Sequence, residues 1–146
     1  INASSTSDSP LIELPSGSWG SGKNFGVWEE GEAGELHMRG RTIQKEVCDY
    51  LASHHQSHRT GRDHFGDALT TETFLALASD WAFMITKDSA ADYARNRANG
   101  HFQRVAELLN SAGHEPGQSQ IPTRDTRLPF LDSRTWHPAS HGVGVP

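Results

Sequence analysis

One cysteine, Cys48, stands in 146 residues, so these residues hold no internal disulfide and point to a reducing, cytoplasmic setting. Long apolar runs are missing too. The longest, Trp81 to Ile85, is far short of the roughly 20 residues that cross a bilayer, and no basic-then-apolar stretch opens the chain, so no membrane is expected. Positive charge is scarce: 13 Lys and Arg face 18 Asp and Glu, for a net charge of −5. No basic stripe emerges, so no nucleic-acid partner is expected. Phosphate-loop and dinucleotide fingerprints are absent, and Gly17-Ser18-Trp19-Gly20 is no nucleophile elbow, having no strand-turn-helix around it. His54, His55, His58 and His64 lie in or beside a polar linker and offer no closed set of four ligands. No metal and no cofactor are therefore expected.

Apolar residues are thin as well, at 34% with a mean hydropathy of −0.63, and they gather in the middle of the chain. A domain of this length ordinarily buries about two-thirds of its unfolded surface. The composition therefore suggests an incomplete unit with ragged, Ser-, Gly- and Pro-rich ends. What the chain does have is tryptophan on glycine. The stretch from Leu14 to Trp28 carries Trp19 and Trp28 nine residues apart amid Gly17, Gly20, Gly22 and Gly26, and predicts a shaped loop rather than a regular element.

Beyond that loop the pattern is helical. Residues 1–10 read as disordered or a linker remnant, and Leu11 to Leu14 as a short strand. Leu36, Ile43, Val47, Tyr50 and Leu51 recur at helical spacing from about Glu32 to Ser53, with Gly34 and Gly40 weakening the first half. A second helix runs from about Asp63 to Ala78 with Phe65, Leu69, Phe74, Leu75 and Leu77 as its apolar set. A compact apolar segment from Trp81 to Ile85 follows. The third helix starts near Asp88 or Ser89, both good N-caps, carries Tyr93, Ala94, Ala98, Phe102, Val105, Leu108 and Leu109, and closes at Gly113. The fold expected is all-α: a small bundle of about three helices spanning 11–113, with a Trp/Gly-rich N-terminal loop. An irregular tail, 114–146, has only Leu128 to Leu131 and Trp136 to anchor it.

Each candidate site has two readings. Trp19 and Trp28 either plug the bundle or stack on the C–H face of a sugar ring. Asp80, between a helix and an apolar cluster, is expected to be partly desolvated. It serves either as a cap or partner for Arg95 or Arg97, or as an acceptor for ligand hydroxyls. The carboxylate pairs Glu29-Glu30 and Asp88-Asp92 sit in no evident pocket.

Three blocks together resemble a known family. They are Gly17-Ser18-Trp19-Gly20 followed by Trp28, then Ala78-Ser79-Asp80-Trp81-Ala82-Phe83-Met84, then Asp92-Tyr93-Ala94 with Arg97 and His101. In order and spacing, over about Leu11 to Leu109, they are similar to the C-terminal helical domain of family-57 glycoside hydrolases of the 1,4-α-glucan branching type. Actinobacterial members resemble it most. The resemblance implies an enzyme that cuts an α-1,4-glucan and transfers the piece to a 6-hydroxyl through a covalent intermediate. The family's catalytic Glu and Asp lie on an N-terminal barrel that precedes the tryptophan loop, and ten residues before Leu11 cannot hold it. Catalytic residues are thus expected to be absent, and the chain inactive alone.

By resemblance, Trp19, Trp28 and Asp80 would contact an α-glucan. Ser89 would stand where members often carry a longer glutamine. Ser21 replaces the glutamate after Ser-Trp-Gly, and Glu29-Glu30-Gly31 replaces a longer aromatic-containing stretch. The partners implied are an α-glucan and the missing barrel. Rival readings are a fragment of a family-57 α-amylase or 4-α-glucanotransferase, or a freestanding, non-catalytic α-glucan-binding helical module.

Overall fold

The computed structural model describes residues 17–54, 61–112 and 127–136. Five α-helices follow one another, with no strand among the described residues: α1 (Gly26–Glu29), α2 (Gly31–Ser53), α3 (His64–Ala76), α4 (Ser79–Thr86) and α5 (Ala91–Ala112). Single 3-10 turns lie at Ser21–Lys23 and Ser133–Trp136. The expected all-α bundle is present, and the apolar segment after Ala78 is a helix in its own right. The expected strand at Leu11 to Leu14, the linker remnant 1–10, His55, His58 and the Gly113 cap lie outside the described residues.

α3 is the middle of the bundle. It packs on α5 and α2, and the turn at Ser133–Trp136 lies against it. The core joins Ile43 and Val47 of α2, Leu69 and Ala76 of α3, and Ala98, Phe102 and Val105 of α5, as helical spacing predicts. Two expectations about stripes are corrected. Phe74 and Leu77 are exposed rather than core, and Tyr93 is 56% exposed. Meanwhile every residue from Gly66 to Thr73 of α3 is buried, polar ones included. A helix enclosed on most sides keeps little solvent face, so its apolar stripe no longer marks its inner side.

Helix ends also depart from expectation. Asp63, where the second helix was expected to begin, caps α3 by accepting from the Gly66 N–H at 3.0 Å. Neither Asp88 nor Ser89 begins α5. The helix starts at Ala91, after a tight link in which Asp88 and Ala90 both take positive φ, at 51° and 58°. The Ser89 N–H is used instead to close α4, on the Met84 carbonyl at 2.9 Å.

Gly34 and Gly40, weak helix formers, sit inside a continuous α2; a close approach of backbone requires the first, and the second lies against the tip of the Leu77 side chain. A Cβ on Gly34 would lie 2.3 Å from the Glu29 carbonyl oxygen, and one on Gly40 would lie 2.7 Å from Leu77 Cδ2. The first lets α1 fold back onto α2. The second brings the α3–α4 junction close.

Candidate functional site

The tryptophan loop is more regular than its glycines suggest. The Ser18 hydroxyl accepts from the Phe25 N–H at 2.7 Å, the Ser18 N–H donates to the Lys23 carbonyl at 3.3 Å, and Asn24 Oδ1 accepts from the Gly26 N–H at 3.2 Å. These bonds close a 3-10 turn and start α1, with Phe25 in the left-handed region at φ 68°. Val27, 4% exposed, plugs α1 into the domain, and Thr86 at the far end of α4 donates its hydroxyl to the Val27 carbonyl at 2.9 Å. Both tryptophans are thereby fixed relative to α4.

α4 divides its neighbours by face. With about 100° between successive residues, Ala82, Ser79, Phe83 and Asp80 follow one another around one side, and Trp81 points the other way. Trp81 is structural: half-buried against the core, it donates its indole N–H to the Leu75 carbonyl at 2.7 Å. Trp19 lies on Phe83, ring centroids 5.1 Å apart and tilted by 51°, yet remains 69% exposed. It does not plug the bundle.

Asp80, on the same face one turn before Phe83, is exposed and makes no hydrogen bond or ion pair among the described residues. The expected desolvation is absent, because the first turn of α4 projects its second residue outward. Nor does it pair with Arg95, whose guanidinium is taken by Glu32 at 2.6 Å and Asp92 at 2.7 Å. The Glu32 carboxyl is held below its ordinary pKa chiefly by that hydrogen bond. Ser89 is exposed but lies beyond the C-terminal end of α4, whereas Asp80 is in the first turn, about 9 Å along the axis from Thr86. Trp19 and Phe83 are in contact, and Asp80 lies one turn before Phe83 on the same side of α4; Ser89 lies beyond the other end of that helix.

Trp28 faces elsewhere. It lines a 520 Å³ cavity between α1, α2 and the α3–α4 junction, floored by Gly40, Ala76, Ala78 and Ala82 and walled by Phe25 and Leu36. Polar side chains also line it: Glu29, His37, Arg41, Gln44 and Ser79. Glu29 therefore does sit at a pocket, contrary to expectation, and it is the one carboxylate in the lining. Nothing in the sequence marks His37, Arg41 and Gln44, because they belong to the polar positions between the apolar residues of α2.

Two buried carboxylates of α3 went unmarked for the same reason. Glu72, 2% exposed, accepts from Arg127 and holds His101 Nδ1 at 2.7 Å, with Arg104 Nε at 3.5 Å. Asp67, 4% exposed, accepts from Arg62 and from the Ser133 N–H at 2.8 Å. Both are satisfied by protein groups, so both are structural. Of the histidines, His54 is exposed and stacked on Tyr50 at 4.0 Å, and no metal-holding cluster occurs among the described residues.

With this geometry in place, the chain can be set beside known proteins. Residues 42–136 match the family described as 1,4-alpha-glucan branching enzyme, C-terminal. The chain belongs to that family. Asp80 and Ser89 fall inside the matched residues, and Trp19 and Trp28 precede them.

Among curated relatives, a "Probable 1,4-alpha-glucan branching enzyme" of Mycobacterium tuberculosis is 40% identical over 109 residues in each of two strains. That alignment takes in 68% of this chain and 20% of the relative. The "1,4-alpha-glucan branching enzyme" of Thermococcus kodakarensis is 33% identical over 101 residues, covering 68% of this chain and 14% of the relative. The chain thus spans a fifth or less of the relatives it matches. No solved structure matches. Among the described residues no helix is long and apolar enough to cross a membrane.

Proposed function

We propose that these residues form the glucan-holding part of a 1,4-α-glucan branching enzyme of the family-57 glycoside hydrolase type. Such an enzyme cleaves an α-1,4 linkage and transfers the chain to a 6-hydroxyl, as in making glycogen-like branches. Membership of the branching-enzyme C-terminal family supports this reading. The observation that carries the site is the exposed Trp19 seated on Phe83, one helical turn from the unpaired carboxylate of Asp80. A flat indole face accepts the C–H face of a pyranose, and a solvent-facing carboxylate accepts hydrogen bonds from its hydroxyls. Trp28 acts in the adjoining cavity, and Ser89 serves at most the far end of a longer chain.

Retaining transfer needs two carboxyl groups about 5 Å apart across the scissile bond. The Trp28 cavity offers Glu29 alone, so the catalytic pair belongs to another part of the enzyme, a barrel by family resemblance. The 146 residues by themselves are then inactive. The exposed, unbridged Cys48 fits a reducing cytoplasmic setting.

Affinity electrophoresis through gels containing glycogen tests the binding. Retardation of the chain that Trp19→Ala abolishes is the expected result, and unretarded wild-type protein would refute it. Iodine staining and debranching of amylose incubated with the chain should show no new branches.

A further inference from the structure

The Trp19 ring has little to hold it. Two hydrogen bonds at Ser18 fix the backbone of its loop: the Phe25 N–H donates to the Ser18 hydroxyl, and the Ser18 N–H donates to the Lys23 carbonyl. Neither reaches the Trp19 side chain. Its indole N–H bonds to no described residue, and it is 69% exposed. Among the described residues its one aromatic contact is Phe83. We infer that Phe83 is a positioning residue for glucan binding, whose phenyl ring holds the Trp19 indole ready for a sugar at a fixed offset from Asp80. The inference rests on the glucan reading above and adds to it the residue that orders the site.

Packing beneath the loop explains why Phe83 serves. Gly20 takes φ 117°, and a Cβ there would lie 2.8 Å from Val27 Cγ2, so the backbone after Trp19 rests on Val27. The Val27 carbonyl in turn accepts from the Thr86 hydroxyl at 2.9 Å. Phe83 and Thr86, three residues apart, share one side of α4. The loop is thus seated on that helix at two points, its backbone through Thr86 and its ring on Phe83. Asp80 lies three residues before Phe83, about 4.5 Å along the same axis. A ring tied to α4 keeps its distance from that carboxylate, whereas a ring tied to the loop alone swings free of it.

An exposed side chain that is free to change rotamer must be ordered when it stacks on a ligand, and that ordering opposes binding. At 5.1 Å between centroids, Trp19 and Phe83 lie within the roughly 4.5–7 Å range at which aromatic rings attract. The contact orders the indole in advance without burying it. With a small residue at position 83, the same sugar contacts would form on a ring that first has to be immobilised.

Two measurements on the ¹⁵N-labelled chain test this: the ¹H–¹⁵N NOE of the indole N–H groups, and calorimetric titration with maltoheptaose. The Trp81 indole, bonded to the Leu75 carbonyl, serves as the rigid internal standard. In the wild type the Trp19 indole should be nearly as rigid. Phe83→Ala should loosen Trp19 alone and weaken maltoheptaose binding about fivefold, with the loss in entropy and the enthalpy unchanged. Phe83→Tyr, which keeps the ring, should restore both. A mobile Trp19 in the wild type, or Phe83→Ala binding as wild type, would overturn the inference and leave the glucan reading standing. Equal loosening of Trp81 in Phe83→Ala would overturn it too, by assigning Phe83 to the fold. Wild-type indole signals that do not shift at millimolar maltoheptaose would overturn both.

Discussion

The two sides of this bundle treat carboxylates in opposite ways. On α3, Glu72 and Asp67 are buried and surrounded by donors: His101, Arg127, Arg62 and the Ser133 backbone. On α4, Asp80 stands in solvent one turn before the Phe83 that carries the exposed Trp19, and bonds to no described residue. A buried charge survives only when its hydrogen bonds are met, so the α3 pair is bound up with the fold. A carboxylate the fold leaves unengaged costs nothing to keep and remains open to a ligand. The contrast separates what holds the domain together from what the fold leaves open to the proposed glucan.

The sharpest way to break that contrast is to remove Glu72. Glu72→Ala leaves the buried His101 Nδ1 without its acceptor and gathers the cations round an empty site. A loss of about 3 kcal/mol is expected in urea unfolding, with glucan affinity of the remaining folded protein unchanged. Asp67→Ala should cost about 2 kcal/mol. It should also free the Ser133–Trp136 turn, read as faster amide exchange at residues 131–135. An equally protected turn would mean that Leu131, 5% exposed, anchors that segment by itself.

A smaller stability effect belongs to the link between the tryptophan loop and α4. Thr86→Val removes one hydroxyl bond to the Val27 carbonyl and should cost about 1 kcal/mol, with a shift in tryptophan emission as α1 loosens. Smallest in stability, and largest in binding, is Trp19→Ala. A side chain 69% exposed should change unfolding by no more than about 0.5 kcal/mol while removing glucan retardation. A large melting shift for this variant would move Trp19 to the structural side.

Acid gives a further handle on the C-terminal segment. Hydrogen bonds from Arg134, against the opposing effect of burial, hold the Asp132 carboxyl at about 2. Its pKa is depressed on folding, so its contribution is full above about 4, the unfolded value, and is lost as pH falls through about 2. The segment's amide protection should therefore drop between those values, and the Asp132→Asn variant should lose that part of the pH dependence.

How much was legible from sequence differs between the two sides as well. The α5 stripe of Ala94, Ala98, Phe102 and Val105 announces itself by spacing, and all four are buried. Trp19, Trp28 and Asp80 stand out by residue type and by resemblance to a family. Glu72 and Asp67 look like ordinary polar positions of a surface helix, because periodicity assumes one wet face and α3 is buried all round from Gly66 to Thr73. Phe130, by contrast, looks like an anchor of the tail and is 79% exposed, while its neighbour Leu131 takes that role. A single residue step in an irregular segment reverses which side chain turns inward, and no local rule fixes it.

Sequence alone determined the three long helices, the core positions on α2 and α5 and the branching-enzyme family, since these follow from local spacing and residue identity. Tertiary structure decided the rest. It turned Trp81 inward and Asp80 outward on one turn of α4, and it set Trp19 on Phe83. It opened a cavity where α2 glycine meets the α3–α4 junction, and it enclosed the polar face of α3. Each of these depends on which surfaces meet across dozens of residues, and burial, not residue type, then settles whether a polar group must be satisfied by the protein or is left for a ligand.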